Sequence, residues 1–362
     1  MRAELYRGLS LLLILIILFS VQPAALAEDD ILLEEPFGLP EPVPVTEEIE
    51  EELLPVPEET LADEEEHETE HELWIENTEA FMAAEDNTGV SVRFSGRGLV
   101  LSDRIGLAFY LDVPEACREG SFVRFDGAGV GQSCEIPDAP DEHGLYRFVC
   151  WLSPLELART VTPTFCREEL RVPGEPYAVK DFIEAAGEDD KRHALLTALG
   201  NYGHFSELCF GRAEPEMPLY GEISYDYDKI RAALSDQITE WTSTGEITQL
   251  VPLIRVEPNL CLVLSPAVSA AETLPAVTVF GAVTEPDEDG LFTLAAVGLN
   301  SLGTRLDVAV TDAGERAALK LSALSVVRAA LEPKGPCTPE QKDFCAALYT
   351  LYEAVKDWEA AG

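Results

Sequence analysis

Positive charge is what this 362-residue sequence has least of. Its 25 lysines and arginines stand against 67 aspartates and glutamates, for a formal net charge of -42 at pH 7. A chain so acidic repels phosphates and anionic lipid headgroups, so nucleic acid and anionic membrane surfaces are excluded as partner classes. Cysteine is sparse as well. None of the eight is at Cys-x-x-Cys spacing, which removes a zinc ribbon or a dithiol redox motif. There is no Gly-x-Ser-x-Gly elbow for a serine hydrolase. Apolar residues are not lacking: at 46% of the sequence they suffice for real cores, and the length suggests about two domains.

The N-terminus reads as a leader. Arg2 and Arg7 precede nine unbroken apolar residues, 11–19, and Ala25-Leu26-Ala27 supplies the small residues that a signal peptidase reads. The run is shorter than the ~20 residues of a membrane-spanning helix, so the expectation is cleavage after residue 27 and no membrane insertion thereafter. An uncleaved anchor is the alternative. No cysteine follows the run to take a lipid, and the C-terminus carries no hydrophobic tail. The mature chain is expected to be exported, secreted or at the cell surface. Residues 28–84 then form an acidic spacer. Twenty acidic side chains and no lysine or arginine fall within residues 28–72, with Pro36, Pro40, Pro42, Pro44, Pro55 and Pro57 among them. Self-repulsion and proline stiffness favour an extended stalk.

Inside that stalk lies His67-Glu68-Thr69-Glu70-His71, a match to the zinc-peptidase pattern His-Glu-x-x-His. The chemistry requires both imidazoles on one helix face and a glutamate to activate metal-bound water. Here the motif follows Asp63-Glu64-Glu65-Glu66, a context too charged for a packed catalytic helix. A glutamate-rich run creates the match almost automatically, so a zinc peptidase stays the minor alternative. Asp226 and Asp228, with Asp287 and Asp289, have the alternation of calcium ligands but no glutamate-ended loop, and read as solvated turns. Gly127-Ala128-Gly129-Val130-Gly131 lacks the Gly-Lys-Ser/Thr of a phosphate loop and reads as a hairpin loop. No catalytic, cofactor-binding or metal residue is therefore assigned, and no cofactor is expected.

The chain repeats itself weakly but in consistent order. Asp141-Glu142-His143-Gly144-Leu145-Tyr146 returns as Asp287-Glu288-Asp289-Gly290-Leu291-Phe292. Upstream, Ile105-Gly106-Leu107-Ala108-Phe109 answers to Leu260-Cys261-Leu262-Val263-Leu264, and residues 157–165 answer to 302–310. Alternation over Ile105, Leu107, Phe109, Leu111 and Val113 marks a strand, and Asp-Glu-x-Gly marks a hairpin turn. Each copy ends in helices. Phe344, Leu348, Leu351, Val355 and Trp358 form one apolar stripe, opened by Thr338 as N-cap with Pro339 and Gln341. A preceding helix is expected over about residues 317–331. In the first copy, a short helix carrying Val179, Phe182 and Ile183 precedes a stripe of Ala198, Tyr202, Phe205 and Cys209. Gly200 and Gly203, which cost ~1 kcal/mol each in a helix, point to a neighbouring helix passing close.

The stretch Tyr177-Ala178-Val179-Lys180-Asp181-Phe182, followed by residues 195–210 with Asn201-Tyr202-Gly203, resembles a module found near the C-termini of exported surface proteins of anaerobic gut bacteria. It occurs there in tandem, beside repeats or anchoring domains. The resemblance covers about residue 88 to the end, specific in the helices and loose in the strands. It implies surface display without catalysis, and the family has no assigned catalytic residues. This chain differs in having no large partner domain beside the modules.

The expected fold is α+β: two tandem modules, each a small antiparallel β-sandwich followed by an antiparallel helical hairpin and each with its own core. Residues 85–212 make the first, 213–243 a linker with a short helix, and 244–362 the second. Most cysteines are expected to be buried, with room for one or two disulfides whose pairing the sequence leaves open. The expected function is a non-catalytic binding or accessory protein, its strand loops, including residues 119–141, contacting an extracellular glycan or protein. The alternative is a structural or assembly component of the cell envelope.

Overall fold

The computed structural model describes residues 71–75, 84–85, 91–102, 104–128, 131–186, 192–243, 250–257, 259–266, 275–312 and 315–361. The architecture is mixed α+β with antiparallel sheets. In the first half, β1 (His71–Ile75), β2 (Ala84–Glu85), β3 (Ser91–Leu101), β4 (Ile105–Asp112) and β7 (Tyr146–Leu152) form a sheet ordered β1-β3-β4-β7, with β2 also on β3. A second sheet, β6-β5-β8-β9, contains β5 (Ser121–Gly127), β6 (Ser133–Glu135), β8 (Val161–Arg167) and β9 (Leu170–Pro173). Leu107, Phe109 and Leu111 of β4 alternate inward as expected. Phe109 meets Phe125 of β5 at 5.8 Å between ring centroids, so the two sheets share a layer of side chains.

The second half has β11 (Leu250–Arg255), β12 (Cys261–Pro266) and β15 (Phe292–Ala296) in one sheet, in the order β11-β12-β15. The other contains β10 (Glu240–Ser243), β13 (Ala276–Val279), β14 (Ala282–Thr284), β16 (Leu306–Asp312) and β17 (Glu315–Leu321). Its order is β10-β17-β16-β13-β14. Strand for strand, β3-β4-β7 answers to β11-β12-β15, and β6-β5-β8-β9 to β14-β13-β16-β17. The Asp-Glu-x-Gly turns match in detail. Asp141 Oδ1 accepts the N–H groups of His143 (2.9 Å) and Leu145 (2.8 Å), and Asp287 Oδ1 those of Asp289 (3.0 Å) and Leu291 (2.9 Å). Gly144 and Gly290 supply φ values of 80° and 76°.

Among the described residues there are five α-helices: α1 (Val179–Ala185), α2 (His193–Cys209) and α3 (Tyr227–Ala233), after the first set of strands, and α4 (Ala323–Ala330) and α5 (Pro339–Ala361), after the second. The start of α5 is the reciprocal cap read from its sequence. Thr338 N–H donates to Gln341 Oε1 at 2.8 Å, and Gln341 N–H to Thr338 Oγ1 at 3.3 Å.

Several expectations change. The helix expected over residues 317–331 is a strand followed by a shorter helix. Ala317, Leu319 and Leu321 alternate inward while Arg316, Ala318 and Lys320 stay exposed, and pairing with β16 outweighs alanine's helical propensity. Ser322 then caps α4, accepting from Ser325 N–H at 3.1 Å. Next, residues 71–75, expected within the spacer, form a strand that pairs with the edge of β3, His71 opposite Leu101, which satisfies backbone groups that would otherwise lie on an open edge. Finally, separate cores are not formed. Buried apolar residues from Val92 to Val355 make one contiguous cluster. The reason lies in the helices, whose most extensive mutual contact is α2 against α5, across the halves. Phe344 lies 5.9 Å from the Tyr202 ring and 5.4 Å from Phe210, so the stripes expected to close each module face each other.

The segment after α2 is strapped along that helix. Asn201 donates to the Tyr220 carbonyl (3.1 Å) and accepts its N–H (2.9 Å); His204 Nδ1 contacts the Met217 carbonyl at 2.8 Å; buried Glu207 accepts the N–H groups of Glu216 and Met217. Gly200 and Gly203 make room for this strap and for more: a Cβ at 200 would strike the Tyr220 ring and come within 3.2 Å of Ile183 in α1, the close helix that was expected, and one at 203 would crowd Leu157 and Met217. The expected linker is thus part of the body, contributing α3 and β10, which pairs with β17.

Candidate binding surface

Of the zinc-peptidase motif only His71 is described. Its backbone is extended in β1, whereas the pattern needs both imidazoles on a helix; His67 and Glu68 lie outside the described residues. Among the described residues no group of three or more His, Cys, Asp or Glu side chains is arranged to hold a metal. The four aspartates with calcium-like spacing have other work. Asp226 caps α3 by accepting the Lys229 N–H at 3.0 Å, and Asp228 pairs with Arg231 at 3.0 Å. Asp287 adds to its turn a 2.6 Å ion pair with Arg255, whose other nitrogen donates to Thr293 Oγ1 at 2.8 Å, while Asp289 donates its N–H into the same turn.

Residues in the motif Tyr177-Ala178-Val179-Lys180-Asp181-Phe182 hold the fold. Asp181 accepts the Ala178 N–H at 2.8 Å at the start of α1; the Arg97 guanidinium sits 3.6 Å over the Tyr177 ring; Phe182 meets that ring edge-on at 6.2 Å. All eight cysteines are free thiols, Cys134 and Cys337 partly exposed and the others buried. Burial pushes the Cys150 and Cys209 thiols up to about 12, far from the range of a reactive thiolate. Where the halves meet, a cavity of about 20 Å³ is lined by Ile105, Leu152, Tyr202, Leu260 and Leu299. That is room for one water molecule.

Within residues 119–141, the chain is anchored at Gly127 and at Gln132. Gly127 has φ 102°, and a Cβ there would collide with the Thr160 carbonyl. Past the loop, the Gln132 amide mimics a strand partner: its nitrogen donates to the Trp151 carbonyl at 2.6 Å and its oxygen accepts the Trp151 N–H at 2.9 Å. Residues 129 and 130 lie outside the described residues.

The corresponding hairpin of the second half is different. Val279 pairs with Ala282, leaving a two-residue turn, Phe280-Gly281, with φ values of 48° and 82°. Two positive φ values are the type I′ geometry that asparagine and glycine favour; an aromatic residue is strained there. Phe280 is 69% exposed and Val283 beside it 68%, the two most exposed large apolar side chains described. By apolar alternation alone, Val277-Thr278-Val279-Phe280 is one strand that takes in Phe280. The signal was available in glycine at the second position of a two-residue gap between apolar runs.

No family model, no curated protein and no solved structure matches the chain.

Proposed function

We propose that this chain is an exported, non-catalytic surface protein that contacts an extracellular glycan or protein through the β13–β14 hairpin tip. The observation that carries this is Phe280. Water penalises an exposed ring only mildly, but an aromatic residue in left-handed backbone costs about 1 kcal/mol or more and stabilises nothing in the isolated molecule. Strain held at a loop tip beside a second exposed apolar side chain is what a contact residue requires. Export rests on the leader-like N-terminus, surface display on the resemblance and the acidic spacer.

The body is, on this reading, two copies of one module, each a small sandwich followed by a helix pair. The matched strand orders and the identical hydrogen bonding at Asp141 and Asp287 support duplication; the shared core means that the copies have fused. The β5–β6 connection and the tip at 280–281 are then equivalent positions that diverged, the first anchored through Gly127 and Gln132 and the second presented.

The test is a glycan array and a pull-down from cell-surface extracts with the purified chain, beside Phe280→Asn and Val283→Thr. A captured partner should bind roughly tenfold more weakly to Phe280→Asn, as for loss of one aromatic anchor. The same variant should unfold at a higher temperature, by about 1 kcal/mol of stability, because asparagine suits the turn. Equal binding by wild type and variant removes the tip from the contact, and silence across both assays reduces the protein to a passive spacer.

A further inference from the structure

The outer faces of two equivalent sheets differ. In the first half, Phe165 of β8 faces the core, so Thr164 and Cys166 on either side face away from it, yet they are only 8% and 1% exposed. Their neighbours in register are Phe122 and Arg124 of β5 and Arg171 and Pro173 of β9, bulky side chains that flank them. In the second half the same positions hold Ala276 and Thr278 of β13 and Arg316 and Ala318 of β17, around Ala309 and Thr311 of β16. Here Ala309, Thr311 and Ala318 stand exposed, as does Thr242 of β10, which pairs with Ala318. A solvated sheet face is normally clothed in polar and β-branched side chains, and alanine is among the residues that strands disfavour. The charges beside this row are close to balance. Lys320, Arg316 and Arg305 stand with Asp307 and Glu240; Lys320 is 3.7 Å from Asp307, and Arg305 3.2 Å from Glu240. On a chain with a formal charge of -42, this face carries no excess of negative charge.

We propose that this face is where two copies of the chain meet, sheet against sheet. The face matches itself. A twofold axis along the strands, between β16 and β17, sets Ala309 against the partner's Ala318 and Thr242 against the partner's Thr278. It also sets Lys320 against the partner's Asp307, so that charges of alternating sign surround the axis. Sheets packed face to face keep their strands within about 30° of each other, and small side chains at the centre let these two approach closely. Two chains at -42 repel one another, and a face of matched signs is where that repulsion is least. Five strands at about 4.8 Å spacing, with seven residues in β16, offer roughly 500 Å² per copy. That is the lower end of specific interfaces, so the dimer is reversible rather than permanent. The twofold places no strand opposite β14, which leaves the hairpin tip free for another partner. The dimer therefore stands or falls apart from the contact role of Phe280.

Sedimentation velocity of the purified full chain, in salt sufficient to screen long-range repulsion, reads the association. Wild type should pass from monomer to dimer as its concentration rises. Ala309→Arg should stay monomeric, because it drives an arginine from each copy into the centre of the contact. Lys320→Asp and Asp307→Lys should each associate roughly tenfold more weakly when alone, since like charges then face each other across the axis. Mixed in equal amounts, those two variants should recover the wild-type dimer, because each aspartate of one copy then meets a lysine of the other. All three positions are exposed, so thermal midpoints should stay close to wild type. A wild type that remains monomeric at every concentration overturns the proposal. So does a dimer that Ala309→Arg leaves intact, or a mixture that associates no better than its components. Phe280→Asn should leave the dimer unchanged; its loss in that variant moves the contact to the hairpin tip and likewise overturns the proposal. The mixture decides on its own if Ala309→Arg does not fold.

Discussion

Gly200 shows at the residue scale how a local penalty is repaid by a distant contact. Alanine there should help α2 by ~1 kcal/mol, yet its Cβ would enter the Tyr220 ring. Gly200→Ala is therefore expected to lower stability by about 1–3 kcal/mol, the range for overpacking. In a Tyr220→Ala background most of that loss should vanish, leaving the 3.2 Å approach to Ile183 Cδ1; chemical denaturation of the four proteins gives the coupling directly. A stabilising effect in both backgrounds would mean that the ring moves aside at no cost. Legibility at this scale followed range. Thr338 and Gln341 were readable because a cap is made by residues three apart. The use of Gly200 by Tyr220 was not, because that ring reaches it only once the chain after α2 has turned back. Phe280 was missed because a strand reading absorbs any bulky residue, and nothing local announces where side-chain alternation stops.

At the scale of elements, the two Asp-Glu-x-Gly turns offer a controlled comparison. Their backbone hydrogen bonds are the same, but only Asp287 also holds an arginine, Arg255, with the pair's side chains about 30% exposed, at 31% and 29%. Asp141→Ala should cost about 1 kcal/mol, the price of one turn. Asp287→Ala should cost about 2–3 kcal/mol, because Arg255 is left half-buried without its partner. Equal losses in thermal denaturation would show that the ion pair contributes nothing. Strand β17 marks the limit of reading elements from sequence. Ala317-Ala318 leans towards helix, while the in–out alternation through Leu321 fits a strand, and the outcome was decided by β16, whose open edge no short window contains. The same holds for β1, which looks like spacer until the edge of β3 is known. Residues 119–141, expected among the strand loops, contain β5 and β6; the anchoring of Gly127 and Gln132 depends on Thr160 and on Trp151 of β7, far along the chain.

For the whole molecule, the buried thiols and phenols set an alkaline limit. In the folded chain Cys150 and Cys209 are held at about 12 against an ordinary 9.0, and Tyr220 and Tyr227 at about 12 against 10.0, burial being the largest cause in each. Once unfolded, these groups lose protons from pH 9–10 upward. In that window the unfolded state binds fewer protons than the folded one, so stability falls as pH rises. Below pH 9 these groups are protonated in both states and contribute no slope. Denaturation midpoints should be insensitive to them up to about pH 8 and drop steeply above pH 9, less so in Cys150→Ala. A flat profile through pH 11 would mean that these side chains meet water in the folded protein.

The ring of Phe344 between Tyr202 and Phe210 carries a consequence for ancestry. On the duplication proposed above, a forebear with one copy of the unit would have had that aromatic socket open to solvent, filled only by a twin chain offering its own helix. Joining two such chains end to end turns an encounter that dilution can undo into one that it cannot. Severed again at residues 244–249, the halves should seek each other out rather than stand alone.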